Sequence, residues 1–279
     1  MMTTLNLQRP VWRFIDQSVT NISKSPLESF AADDTLCEAV GAGHSPWTIR
    51  TWVHNQSVVL GIQDHRLPFI NEAMQFLETR EYTPIVRNSG GLAVVLDTGI
   101  LNISLIMNEE ESRIDIDSGY DAMVALIRLL FPEVASRIEA YEIVGSYCPG
   151  SFDLSIDGKK FAGISQRRMK KGIAVQIYIC IEGNGQERAA LIRDFYEVGL
   201  RDVATKFQYP VVTPHVMASL EQLMDMPITV TEVMYRLKQV VQELSTEVVR
   251  YEPFHDEENA RYLYYLTRIF ERNSKMLNI

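Results

Sequence analysis

Four absences narrow the possibilities before any motif is read. Only three cysteines occur in 279 residues, Cys37, Cys148 and Cys180, far apart and without C-x-x-C or Cys/His spacing, so neither a disulfide scaffold nor a zinc site is expected. The five histidines, His44, His54, His65, His215 and His255, form no H-E-x-x-H or other close pair, and no metal site is predicted. Positive charge is in deficit: 27 Lys and Arg stand against 36 Asp and Glu, a net charge of -9, which argues against general nucleic-acid binding. No stretch approaches 18 uninterrupted apolar residues, and the opening "MMTTLNLQRPVWRFIDQS" lacks a short apolar core behind a positive head. A cytoplasmic protein that does not enter membranes is the expectation. The chain also lacks internal repeats, low-complexity tracts and a flexible linker.

What is present reads as a mixed α+β protein. Ser25, Pro26 and Glu28 start a first helix as N-cap, first helical residue and capping-box acid, and Gly41 and Gly43 end it. "TIRTWVHNQSVVLGI" predicts a hairpin around Asn55-Gln56, and "LPFINEAMQFLETR" a helix with Ile70, Met74 and Leu77 on one face. Three short strands follow, split at Ser89-Gly90-Gly91 and Asp97-Thr98-Gly99. "DSGYDAMVALIRLLFPEVASRIEAYE" is apolar nearly all round, which predicts a buried helix that Pro132 kinks or restarts. From Ser151 an antiparallel meander is expected, its last strand alternating Ile173, Val175, Ile177, Ile179 and Ile181 on one face. The remainder is mainly helical, and Thr229 with Glu232 caps a helix carrying Val233, Leu237, Val240, Leu244 and Val248 on its apolar side. The expected organisation is a segment 1–42 packing on the core, a core over 43–228 and a helical extension over 229–279.

Cys37 and Cys180 fall on helix and strand periodicity and read as small packing residues. Cys148, in "GSYCPGSFDLSIDGKKFAG", stands on a Tyr-Cys-Pro-Gly turn; from the residues alone it is equally a nucleophile or an ordinary loop thiol. Asp157 to Lys160 make a tight turn into a strand whose Ala162-Gly163 pair lets another group come close, although two turn lysines are commonly just solvated. Arg87, in "RNSGG", offers a guanidinium and backbone N–H groups suited to a carbonyl or anion. No G-x-x-x-x-G-K-[ST] loop occurs.

"RNSGGLAVVLDTGILNISLI" followed by "GSYCPGSFDLSIDGKKFAGISQ" resembles the biotin/lipoate ligase and lipoyl/octanoyl transferase superfamily over roughly Gly43 to Gly199. A cysteine at Cys148 is the mark of its transferases that work through an acyl-thioester, the lipoyl amidotransferase branch. Two positions depart from the usual pattern: Leu92 replaces a third glycine and Leu96 a histidine. The resemblance implies a mixed, largely antiparallel sheet backed by helices, with catalytic Cys148 and Lys160. It places an acyl tunnel beside Arg87, Ser89, Gly90, Gly91, Asn102, Ser104 and Gly163. It implies no cofactor, glycine cleavage H protein as octanoyl donor and lipoyl domains of E2 subunits as acceptors. An ATP-dependent ligase, an acyl carrier protein-dependent octanoyltransferase and a non-catalytic acyl-protein-binding module are the alternatives.

Lowering the thiol pKa from about 8.5 to about 7 would raise the thiolate fraction roughly fifteenfold but cut its nucleophilicity about fivefold. Lys160 is therefore expected to do more than ion-pair: to bind the reacting carbonyl or relay a proton. Alternation turns Lys159 to the other face. "QRRMKKG" adds four cations, Arg167, Arg168, Lys170 and Lys171, in one turn; such a run is commonly solvated, and here it is the expected docking point for an acidic carrier.

Overall fold

The computed structural model describes residues 5–109 and 114–277; positions 1–4 and 278–279 of the two outer segments lie outside that range. Strand β1 (Arg9–Gln17), unanticipated in the sequence, leads into α1 (Pro26–Gly41), β2 (Thr48–Trp52), β3 (Ser57–Leu60), α2 (Ile70–Glu78), β4 (Thr83–Val86), β5 (Val94–Leu96) and β6 (Ile100–Asn108). Next come α3 (Ile116–Leu130), β7 (Glu139–Ala140), β8 (Asp153–Ile156), β9 (Lys159–Met169), β10 (Gly172–Cys180) and α4 (Gly185–Leu200). Then α5 (Leu220–Met224), α6 (Val230–Leu244), β11 (Ser245–Arg250) and α7 (Asp256–Leu277) complete the order. Eight strands form one sheet in the order β11-β1-β2-β6-β10-β9-β8-β7, and three form a second, β4-β3-β5.

The meander β8-β9-β10 is antiparallel, as alternation required, and β10 continues onto β6. Successive side chains leave opposite faces of a strand. Leu101, Ile103 and Leu105 thus enter one core with Val175, Ile177 and Ile179, against α3 and α6. Asn102 and Ser104 turn to the other face, toward α1 and the small sheet. Removing one of these fully buried side chains, for example Ile177→Ala, would cost about 2–5 kcal/mol.

Four expectations need correction. β2 and β3 are not a hairpin: β2 pairs with β1 and β6 in the large sheet, whereas β3 pairs with β4 and β5 in the small one. The polar residues between them mark a crossing between layers. The helix α3 ends at Leu130, because proline disfavours helical backbone at the residue before it; its Ile116 and Leu129 are exposed, so the helix is one-sided rather than buried all round. Val248 does not continue the apolar side of α6. The helix stops at Leu244, and Val248 lies exposed on β11, parallel to β1 at the sheet edge. At α1, Ser25 Oγ accepts from Leu27 N–H, while the Glu28 carboxylate pairs with Lys24 and accepts from Tyr262, so the capping box does not form.

Candidate active site

The loop between β7 and β8 carries Cys148, and its shape is imposed from below. Tyr147 is fully buried and stacks on Tyr178 with 6.0 Å between ring centroids, which commits the next residue to the surface. Cys148 takes a left-handed backbone, φ 45°, a conformation that a residue with a Cβ adopts only when its surroundings hold it there.

Lys160 supplies that hold. The side chain is 0% exposed, and its Nζ donates to the carbonyls of Tyr147 and Cys148, both at 2.9 Å, and to Ser146 Oγ at 3.2 Å. It also pairs with Asp153 Oδ1 at 2.9 Å. Four acceptors thus surround three N–H groups. Lys160 therefore acts on the cysteine's own carbonyl; it does not line the space in front of the sulfur. Lys159 is exposed on the opposite face. Burial pushes the Asp153 carboxyl above its ordinary range, with the Lys160 charge opposing that shift. Asp153 also accepts from the Ile143 N–H at 3.3 Å, closing the loop on itself.

The sulfur has partners of its own. Leu92 N–H donates to Cys148 Sγ at 3.1 Å, and Arg87 Nη2 at 3.5 Å. Arg87 also donates to the Leu92 carbonyl, so one guanidinium spans the turn and reaches the thiol. Gly91 makes this possible. Its φ is 106°, and a Cβ there would lie 2.4 Å from Arg87 Nη2 and 3.2 Å from Cys148 Sγ. Two N–H donors converge on a half-buried sulfur and can receive negative charge developing there during reaction.

A cavity of about 270 Å³ opens at this sulfur. Val59, Val94 and Leu96 of the small sheet, with Phe30 and Trp52, form its apolar wall; Asn102, Gln176, Tyr178 and Gly163 lie along the large sheet. Trp52, Asn102, Tyr178 and Gly163 are successive partners on four adjacent strands, so this floor is roughly 14 Å long at about 4.8 Å per strand. Gly163 leaves room for the Tyr178 ring, which would come within 3.1 Å of a Cβ. The space has a long floor and a lining more apolar than polar, which suits an unbranched acyl chain.

Of the residues singled out in the sequence, Cys148, Arg87, Gly90, Gly91, Asn102 and Gly163 line this cavity. Ser89 is buried without a hydrogen-bond partner for its Oγ. Ser104 stands behind the wall, where it accepts from Trp52 Nε1 at 3.1 Å and donates to Asp33 Oδ2 at 2.8 Å. Asp33 is paired with fully buried Arg50 at 2.7 Å and accepts from Gln176, so a buried ionic network fixes one side of the cavity. That network, Asp153 and the Leu92 N–H were not foreseen; the one available signal was the position of Asp153 and Lys160 on either side of the Asp157-Gly158 turn. The basic tip is largely consumed internally. Arg167 pairs with Asp34, and Arg168 with Glu109 and the carbonyls of Ile114 and Asp115.

Residues 25–242 match the family model described as the lipoyl protein ligase A/B catalytic domain. The chain is 64% identical over 271 residues, 97% of each chain, to an octanoyl-[GcvH]:protein N-octanoyltransferase of Lysinibacillus sphaericus. It is 52% identical over 272 residues, 97% of this chain and 94% of the relative, to the protein of that name in Bacillus velezensis. Its fold is similar to the crystal structure of a lipoate-protein ligase A bound with ATP, with a TM-score of 0.71 at 15% identity, covering 96% of this chain and 98% of the other.

Proposed function

The chain belongs to the lipoyl protein ligase A/B catalytic domain family, and on that premise we propose that it is an N-octanoyltransferase moving an octanoyl group between protein lysines through a Cys148 thioester. The observation that carries this is a half-buried thiol, held by two N–H donors, lining a cavity with an apolar wall. The donor is glycine cleavage H protein, in keeping with the names of the relatives, and the acceptors are lipoyl domains of E2 subunits. In this reading residues 43–228 form the catalytic core, and 1–42 and 229–279 complete it.

The Cys148 thiolate attacks the carbonyl carbon of the donor's octanoyl-lysine amide, with the octanoyl chain along the cavity. The carbonyl π-bond electrons move onto oxygen; on collapse the C–N bond breaks, and the donor lysine leaves as an amine after taking a proton. The acceptor lysine then attacks the thioester, loses a proton, and the thiolate is released. One amide is exchanged for another, so the balance requires no nucleotide. Lys160 and Asp153 act through the loop: they fix the left-handed backbone that presents the sulfur between Arg87 and Leu92. No described helix is long and apolar enough to cross a membrane.

The test is to mix the purified protein with octanoylated H protein and no nucleotide. Intact-mass measurement is expected to show one octanoyl group that hydroxylamine removes and that a lipoyl domain accepts. The same labile adduct on Cys148→Ala would refute the cysteine assignment, and transfer only when ATP is supplied would favour the ligase alternative.

A further inference from the structure

Arg87 reaches the reactive sulfur from the end of β4, which is an edge strand of the small sheet. On its inner side the Arg87 N–H bonds to the Leu60 carbonyl at 3.0 Å. An edge strand's outer side has no ladder to hold it, and its backbone groups must find other partners. Here they find α7. Asn273 Oδ1 accepts from the Val86 N–H at 2.8 Å, and Arg272 Nη1 donates to the Arg87 carbonyl at 2.8 Å. Two consecutive side chains of one helix thus grip two consecutive backbone units, immediately before the Ser89-Gly90-Gly91 turn. Asn273 is 8% exposed, and Ile269 and Leu277 of the same helix are buried in the core that includes Val86 and Leu60. The helix lies beyond residue 242, where the matched family segment ends.

We propose that Arg272 and Asn273 are positioning residues for the cysteine chemistry: they fix the backbone from which the Arg87 guanidinium reaches Cys148 Sγ, making α7 part of the active site. The contact they support is 3.5 Å from Arg87 Nη2 to Cys148 Sγ, an ordinary distance for the large sulfur atom, and a shift of about 1 Å at β4 would break it. Displacements of about 1 Å remote from the reacting atoms can cost around a hundredfold in rate. Arg272 is well placed for this task because its bond to the carbonyl is charge-assisted. Burial and the neighbouring Arg167 charge depress its pKa, so the charge is held there at an electrostatic cost.

The inference rests on Cys148 being the nucleophile, and its test separates the two claims. In the full-length protein, the rate of Cys148 alkylation by iodoacetamide is followed against pH by peptide mass, with buried Cys37 and Cys180 as internal references. Octanoyl transfer and urea unfolding are measured alongside. Arg272→Ala is expected to move the alkylation profile to higher pH and to lower kcat about ten- to a hundredfold, with KM for the carrier changed less than about twofold. Arg272→Lys, which keeps a cationic donor, is expected to recover kcat to within about fivefold of wild type. Asn273→Ala, which frees the Val86 N–H, is expected to shift both readouts in the same direction. A wild-type alkylation profile and kcat in either folded alanine variant would overturn the positioning role. Undiminished transfer by Cys148→Ala would instead overturn the nucleophile reading, whatever the α7 variants do.

Discussion

Two cysteines of this protein each sit beside an arginine, and only one of them is arranged for chemistry. Cys180 accepts from Arg188 Nη1 at 2.9 Å, closer than Arg87 comes to Cys148. Yet Arg188 is locked to Asp97 by two bonds of 2.7 Å, and burial pushes the Cys180 thiol up to about 11 despite the guanidinium. Arg87 donates to a carbonyl and to the sulfur, among the described residues no carboxylate forms an ion pair with it, and its cysteine opens onto a cavity. Proximity of a cation does not make a nucleophile. What matters is whether its charge is already spent and whether the sulfur can be reached.

Removing each sulfur tests the contrast most severely. Cys148→Ala is expected to lower octanoyl transfer by at least about a thousandfold, since the covalent step is lost, whereas Cys180→Ala should stay within about threefold per folded molecule. A steady-state transfer assay on both purified variants decides it, and comparable losses would erase the distinction. The arginines give the next largest effect. Arg87→Ala is expected to reduce kcat/KM about a hundredfold with little change in urea midpoint, as for loss of one donor to a developing charge. Arg188→Ala should leave kcat/KM nearly unchanged and cost about 2–4 kcal/mol of stability, because Asp97 loses its partner in a partly buried site. Equal stability losses for the two would show that Arg87 is also a structural ion.

The smallest net effect in the wild type concerns Asp64, a carboxylate that feels the Arg87 charge. It accepts from the Gly61 N–H at 2.7 Å and from Tyr196 at 2.8 Å beneath the Gly91 turn, and burial raises its pKa to about 6. A carboxyl raised on folding stabilises below about pH 4, and that contribution is lost as the pH rises to about 6, roughly 3 kcal/mol in all. His54 runs the other way. Burial lowers it to about 4, so its contribution is full above about pH 6.5 and falls by a similar amount on acidification. The two slopes largely cancel in the wild type. Urea unfolding between pH 4 and 6.5 is expected to show stability rising with pH in Asp64→Asn and falling with pH in His54→Gln. Parallel profiles for the three proteins would mean that neither group carries its charge cost in the folded state.

The parts of this molecule legible in its sequence were those whose signal is local. Alternation along Ile173 to Ile181 set the β10 face, and the Asp157-Gly158 turn placed Lys160 inward and Lys159 outward. The Asn55-Gln56 stretch misled because turn chemistry marks where a strand stops and leaves its pairing partner unspecified. Val248 misled for a related reason: it keeps helical spacing from Leu244 although the chain has already become a strand. In the site, Cys148 and Arg87 carry recognisable side chains, but the Leu92 N–H that meets the sulfur is a backbone group present at every residue except proline. Asn273 and Arg272 lie 187 and 185 residues from the β4 groups they hold, beyond the reach of any periodicity.

The parallel pairing of β1 with β11 has a consequence in time. Arg9 waits for Ser245, so the outer edge of the large sheet is the last part of it to be made. Closing so long a loop costs only about 5 kcal/mol of chain entropy, but at roughly 5–20 residues per second a ribosome needs about ten to fifty seconds to travel from β1 to β11. Through that interval β1 can pair with β2 alone, its other edge open to any passing strand. Its own sequence supplies protection: Arg9, Arg13 and Asp16 put charge along the waiting edge, and in the finished protein Arg13 is taken up by Glu258 at 2.6 Å, a residue synthesised later still.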